Sequence, residues 1–389
     1  MSAQAHHARE TPGAELPAPS FSIADWLYAR RDRLLASPVF RRLSASFPLT
    51  RAVAHKQARA LFDICAGFVY SQVLAACIEL DLFRLLQDEP KEADRLAREV
   101  NLPVERLSRL LDAAVSLRLL SRRSGGRYGL GMLGAALAGD PGIGAMIKHH
   151  GMLYRDLENP VALLRGDHRS RELATFWGYA DSSDSAALGD DAVAAYSDLM
   201  VQSQSFIADD VLDAYRFDRH SCLMDVGGGE GAFIAAAALK YPNLNFKLFD
   251  LPSVANRAQG RLAEAGLSKR VSVHGGSFRD SALPRGADLI SLVRVLHDHD
   301  DPVAALILRA VYEALPPGGT LLIAEPMAGV PGAEQVGGAY FGFYLLAMGS
   351  GRARTIAEIA TLLSAAGFKP PRARRTRQPA LAGVLIASK

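Results

Sequence analysis

From Ser221 onward, short apolar runs alternate with longer stretches of helical periodicity. CLMDV, NFKLFD, VSVHG, ADLISLV, GTLLIAE and LAGVLIAS read as strands, and most are apolar on both faces. Between them GAFIAAAALKYP, AALILRAVYEALPPGG and TIAEIATLLSAAGF place apolar residues at helix spacing. Gly318-Gly319 and Gly367 fall where helix C-caps belong. Apolar strands separated by helices predict an α/β fold whose sheet is mostly parallel and covered on both faces.

The first half has a different texture. ARALFDICAGFVYSQVLAACIELDLFRLL is a long apolar helical region, EADRLAREVNL a short helix, and Pro103 opens a third. That third helix gathers Leu107, Leu110, Leu111, Ala114, Val115 and Leu117 on one side. RRSGGRYGL then folds as a hairpin around Gly125-Gly126. Three helices and a hairpin in this order form a winged-helix arrangement. Ahead of them, Ile23, Trp26, Leu27, Leu34 and Leu35 recur among Arg30, Arg31, Arg33, Arg41 and Arg42, and Pro48 closes the segment. The expected divisions are a disordered arm at 1–20, a helical winged-helix domain at 21–135, a helical connector at 136–205 and an α/β domain at 206–389.

Composition narrows the function classes. At ~150 residues per domain, 389 residues suggest two domains or three. A chain that is 49% hydrophobic and 22% charged can bury a sizeable core. Despite a mean hydropathy of +0.07, charged residues interrupt every apolar run before the ~18 residues of a membrane span. The first twenty residues lack the apolar core of a signal peptide, which points away from secretion. Lys+Arg 44 against Asp+Glu 41 is too balanced for a nucleic-acid coat protein. Cys65, Cys77 and Cys222 are isolated, which argues against a zinc site or disulfide framework and fits a reducing compartment.

The chemistry concentrates at strand ends. LMDVGGGEGAF leaves a strand through Gly227, Gly228, Gly229 and Gly231 and opens a helix. Such glycines permit a sharp turn and close ligand approach, although a plain structural turn and a dinucleotide site share the pattern. Asp225 and Glu230 flank the turn. Carboxylates there would repel a pyrophosphate and suit the ammonium and sulfonium of S-adenosylmethionine (SAM) better. Asp250, followed by Leu251, ends the next strand, where a carboxylate can accept both ribose hydroxyls. SLVRVLHDHDDP ends the fourth strand with His297, Asp298 and His299. His-x-His with aspartates can hold a metal, but an extended run would put the two rings on opposite faces. His299 reads better as lying at the start of the next helix, with Asp300 and Asp301 favoured there by the helix dipole.

D-V-G-G-G-E-G, F-D-L-P, G-G-S-F and R-V-L-H-D-H-D-D, in this order over residues 58–389, resemble the SAM-dependent O-methyltransferases that include plant phenolic and acetylserotonin enzymes. SPVFRRLSASFPLTR and RALFDICAGFVYSQVLAACIELDLF resemble more closely the carotenoid tertiary-alcohol methyltransferases of purple phototrophic bacteria. The resemblance implies a Rossmann-like SAM-binding domain with a mixed, mostly parallel sheet behind a helical, winged-helix dimerisation domain. It implies SAM as methyl donor, no resident metal, a homodimer, and no nucleic-acid partner. Asp225, Gly227, Gly228, Gly229, Asp250, Leu251, Ser277, Phe278 and Arg294 then bind the cofactor. Ser277 stands where the family has an aspartate for the adenine amino group, and Phe278 is placed to lie against the purine. His297 becomes the base, Glu325 orients it and Asp298 helps position the site. A second family glutamate is missing, because the family's G-K-E-R-T reads Gly351-Arg352-Ala353-Arg354-Thr355 here.

In that family GGAYFGFYLLAMGSG lines the acceptor pocket. Tyr340, Phe341, Phe343, Tyr344, Leu346 and Met348 would suit a polyene, although a buried core helix has the same composition. The implied reaction is O-methylation of a hydroxyl on an apolar acceptor, with the tertiary hydroxyl of an acyclic carotenoid as the expected target. Methylation of a tetrapyrrole or other pigment, a winged-helix regulator sensing a nucleotide, and an NAD-dependent oxidoreductase are the rivals. Residues 21–42 pack on the protein or a dimer partner, or lie on anionic lipid. The expected location is cytoplasmic, at the periphery of an intracytoplasmic membrane.

Overall fold

The computed structural model describes residues 22–139, 141–166, 171–177, 207–379 and 381–389. The arm at 1–20 and residues 178–205 of the expected connector lie outside the described residues. The chain divides into two compact units, residues 1–72 and 73–389.

The first unit is helical. α1 (Ile23–Ala36) starts where Ser22 accepts from the Asp25 amide, and α2 (Pro38–Ser46) has proline in its first turn. Pro48 does not close this segment. It opens α3 (Pro48–Glu79), a 32-residue helix, because a proline in the first helical turn sacrifices no internal hydrogen bond. No residue of α1 or α2 is buried in the single chain. α3 is also long and apolar enough, by length and composition, to cross a membrane. The expectation of no such stretch required an unbroken apolar run, whereas a helix tolerates an occasional charge.

The second unit opens with α4 (Leu82–Leu85), α5 (Ala93–Glu99), α6 (Val104–Ser116) and the hairpin β1 (Leu120–Arg122) and β2 (Tyr128–Leu130). Leu120 pairs with Leu130 and Arg122 with Tyr128 around Gly125 and Gly126, both at positive φ. Leu82, Leu96, Leu107, Leu111 and Ala114 form a core there with Cys77. α7 (Met132–Ala138), α8 (Pro141–Asp156), α9 (Pro160–Leu164) and α10 (Glu172–Phe176) follow.

The α/β part holds β3 (Cys222–Val226), β4 (Asn245–Asp250), β5 (Val271–Gly275), β6 (Leu289–Val293), β7 (Thr320–Glu325), β8 (Arg372–Arg374) and β9 (Gly383–Ser388). Their order is β5-β4-β3-β6-β7-β9-β8. β3 to β7 are parallel, and β9 is antiparallel to both neighbours. α11 (Ala232–Lys240), α12 (Pro252–Glu264), α13 (Asp301–Ala314), α14 (Phe341–Met348) and α15 (Ile356–Ala366) belong to the same part. Every residue of β6 and β7 is buried, which is why these strands read as unbroken apolar runs. Gly367 is a left-handed C-cap as expected. Gly318 is not: α13 is capped at Leu315, and the Pro316–Gly319 turn is separate, because two consecutive prolines cannot continue a helix.

Candidate active site

Order reverses between β3 and β6, which opens a crevice beyond the carboxyl ends of the strands. Asp225, Asp250, Arg294 and Glu325 all stand at those ends. At the β3 turn, a Cβ on Gly228 would fall 2.8 Å from Asp225 Oδ2, and one on Gly227 would fall 2.8 Å from Val295. Glycine is therefore required by close packing at both positions. Gly229, at φ +56, would carry its Cβ into open space, so there the backbone is bare toward the crevice. Asp225 is buried beneath the turn, accepts from Ser291 Oγ at 2.6 Å, and burial pushes its carboxyl up to about 7.

Asp250 is the carboxylate at the mouth. Its Oδ2 accepts from the Gly229 amide and its Oδ1 from the Leu251 amide, each at 2.7 Å. Burial pushes its carboxyl up to about 6 against the pull of those two donors. Each oxygen keeps a second lone pair, enough to receive two ribose hydroxyls. Glu230 differs from expectation. It is bonded to Arg257 and Arg261 of α12, at 2.5 and 3.0 Å, so its charge is compensated away from the turn. Ser277 accepts from the Arg279 amide within its own turn. Phe278 packs against the core and meets the His299 ring edge-on at 5.2 Å.

The run after β6 is not extended. Arg294 takes a left-handed conformation, φ +58, and donates its amide to Ala324 O. A non-glycine residue held there marks a backbone constrained by its surroundings. Leu296–Asp298 is a single 3-10 turn. It buries the His297 ring against Phe341 at 5.9 Å, while the His299 ring turns to Phe278. The two histidines therefore serve different surroundings. Among the described residues no three His, Cys, Asp or Glu side chains group as metal ligands.

His297 lies between two carboxylates. Its Nε2 is 3.1 Å from Asp298 Oδ1 and its Nδ1 is 3.5 Å from Glu325 Oε2, which also accepts the His297 amide at 3.0 Å. Burial disfavours the imidazolium, but Asp298 and Glu325 outweigh it and hold the imidazole above its ordinary range, with Arg294 opposing. His299 has no comparable support, and burial pushes it down to about 4.

Beyond His297 stands a wall the sequence only half revealed. Tyr344, Leu345, Ala347 and Met348 of α14 pack with Leu153, Leu163, Leu173 and Trp177, and Tyr340, Phe341 and Leu346 pack against them. Phe343 points outward instead and is exposed. The Tyr344 oxygen accepts from Trp177 Nε1 at 2.9 Å and lies 2.8 Å from His149 Nε2. His150 Nε2 lies 2.7 Å from the Tyr340 hydroxyl. Burial holds both imidazoles below the ordinary range, so these two histidines add polarity to the wall but no charge at neutral pH. His149, His150 and Trp177 escaped the sequence reading; adjacent histidines in an otherwise apolar helix were the available signal.

Comparison with known proteins accords with this geometry. Residues 154–369 match the O-methyltransferase domain family and residues 62–140 the O-methyltransferase dimerisation domain family. Demethylspheroidene O-methyltransferase of Cereibacter sphaeroides is 46% identical over 86% of this chain and 88% of its own length. The enzyme of the same name from Rhodobacter capsulatus is 42% identical over 90% of this chain and 86% of its own length. Among solved structures, human N-acetylserotonin methyltransferase in complex with SAM aligns with a TM-score of 0.71 at 27% identity, covering 86% of this chain and 97% of that one.

Proposed function

Because the chain belongs to the SAM-dependent O-methyltransferases, we propose that it methylates the tertiary hydroxyl of an acyclic carotenoid. The observation that carries this reading is the 46% identity with a demethylspheroidene O-methyltransferase along most of both chains. The largely apolar, aromatic wall beside the buried His297 supports an apolar acceptor.

SAM supplies a methyl carbon on a positively charged sulfur. Asp250 would receive the ribose hydroxyls, the bare backbone at Gly229 would admit the nucleoside closely, and Leu251, Ser277, Phe278 and Arg294 would be the further residues to hold it. Asp225 holds the glycine turn from below. His297 takes the acceptor's proton at Nε2, the nitrogen turned away from Glu325. The imidazolium so formed is stabilised by the negative charge of Asp298 and Glu325. The apolar surroundings exclude water that would compete for the methyl group.

The dimerisation domain makes a homodimer the working assembly. A carotenoid resides in membrane. α1 and α2 expose Trp26, Leu27, Val39 and Leu43 beside Arg30, Arg31, Arg41 and Arg42, a combination suited to an anionic bilayer surface approached from the cytoplasm. Incubation with methyl-labelled SAM and either a hydroxylated acyclic carotenoid or N-acetylserotonin tests the reading. A labelled methyl ether on the carotenoid alone is expected. Transfer to N-acetylserotonin alone refutes the acceptor.

A further inference from the structure

His297 sits on a one-turn 3-10 helix, an element with no stability of its own. What holds it comes from the segment after α14. Arg354 is completely buried there, and a buried guanidinium persists only where its donors are satisfied. Its Nη1 donates to Leu296 O at 2.7 Å and its Nη2 to His299 O at 2.6 Å, one carbonyl on each side of His297 and Asp298. Its Nε reaches Asp301 at the start of α13 at 2.9 Å. The same segment adds Ser350 Oγ donating to Asp298 O at 2.8 Å and the Gly351 amide donating to Asp300 Oδ1 at 3.0 Å. Gly351, at φ +81, approaches so closely that a Cβ would fall 2.1 Å from His297 O.

We propose that Arg354 is a positioning residue for the base: its guanidinium clamps both ends of the His297–Asp298 turn and so sets the imidazole between Asp298 and Glu325. The proposal rests on His297 as base but not on the identity of the acceptor. The geometry suits arginine alone. A planar fork can serve two carbonyls and a carboxylate at once, whereas an ammonium on a flexible stem cannot hold the same three directions. The clamp also carries charge into the loop without facing the ring. The groups that do face His297 are Asp298 on its own turn, Glu325 of β7, Arg294 after β6, and His299, with Phe341 of α14 closing the apolar side.

Arg354→Met and Arg354→Lys separate positioning from mere folding, with Arg352→Ala as the control. Arg352 is half-exposed and bonds the side chains of Asp301 and Glu358, with no contact to the carbonyls of the His297 turn among the described residues. NMR titration of the His297 ring and calorimetry with SAM need no acceptor; kcat and KM are measured separately. Loosening the turn frees the ring from its carboxylates. In folded Arg354→Met the His297 midpoint should fall toward the ordinary imidazole value, and kcat by roughly 10²-fold, the cost of about 1 Å of misplacement. SAM affinity and acceptor KM should change little. If the Met variant does not fold, Arg354→Lys decides, with the same direction of shift expected. A folded Lys variant with wild-type kcat and His297 midpoint overturns the proposal. So does an Arg352→Ala variant that reproduces the effect. Loss of SAM binding with an unmoved His297 midpoint overturns it too, because the role would then be structural.

Discussion

Replacing Asp250 by Asn leaves the side chain's shape and removes its charge and one acceptor. The remaining oxygen can serve the Gly229 amide or the Leu251 amide, but not both as the carboxylate does. Two effects follow. A ribose hydroxyl loses a charged partner, which costs ~1.5–3 kcal/mol for a hydrogen bond to an ionised group, or roughly ten- to a hundredfold in SAM affinity. One backbone donor also loses its acceptor, which costs the unliganded fold ~1–3 kcal/mol.

The pH dependence carries its own sign. Burial raises the wild-type carboxyl to about 6, and a ribose held by it would need the ionised form. SAM binding should therefore weaken as pH falls through that value, and Asp250→Asn should be flat there. In the unliganded fold the same raised value acts oppositely. The folded state holds the proton more tightly than the unfolded chain, so this group's contribution to stability falls as pH rises from the ordinary aspartate range toward about 6. Calorimetry with SAM between pH 5 and pH 8, beside thermal unfolding, reads both effects. A folded Asp250→Asn variant with wild-type affinity and the wild-type pH profile would refute the ribose assignment.

His297→Ala should lower turnover by ~10²–10⁴-fold, the usual worth of a positioned base, while His299→Ala costs far less and neither changes SAM affinity. Single-turnover rates beside calorimetry check this; near-normal turnover in His297→Ala removes the base assignment. Asp298→Asn takes away a carboxylate that raises His297, so the acid limb of the kcat profile should move to lower pH, unless Asp298 has no hold on the ring. Deleting residues 1–45 should spare methylation of a detergent-dispersed acceptor and reduce it on liposomes; equal loss on both would show that the segment serves folding or dimerisation.

The parts of this structure that were legible in sequence are those decided by local pattern. β3, β6 and β7 are buried on both faces, so their composition alone marked them. The glycine turn showed because close approach and positive φ exclude other residues. β8 was missed because Arg372–Arg374 is an exposed edge strand without an apolar face. The helical start at Pro48 and the separate turn at Gly318 differ from the sequence expectation because proline and glycine mark boundaries without saying which side of one they lie on. The aromatic wall beyond His297 is half legible. Its apolar residues cluster within α14, but its polar contacts join residues 167 to 195 positions apart. Arg354, in a familiar motif, showed its position but not its work, because the carbonyls it holds lie more than fifty residues away.

The surroundings of His297 suit the demands of an alcohol acceptor. A tertiary alcohol gives up its proton far less readily than a phenol, so the transition state gains from a stronger base. Burial alone would weaken this imidazole, as it does His299 two residues away. Asp298 and Glu325 reverse that effect at His297 by stabilising the charged form that exists only once the proton has moved. The cost falls on the resting state. A base held above its ordinary range is more often protonated at neutral pH, so activity should rise with pH through the His297 midpoint. The acid missing at Ala353 does not leave the ring beside a single carboxylate, because Asp298 Oδ1 also lies within 3.1 Å of it, and the field of both carboxylates favours the imidazolium.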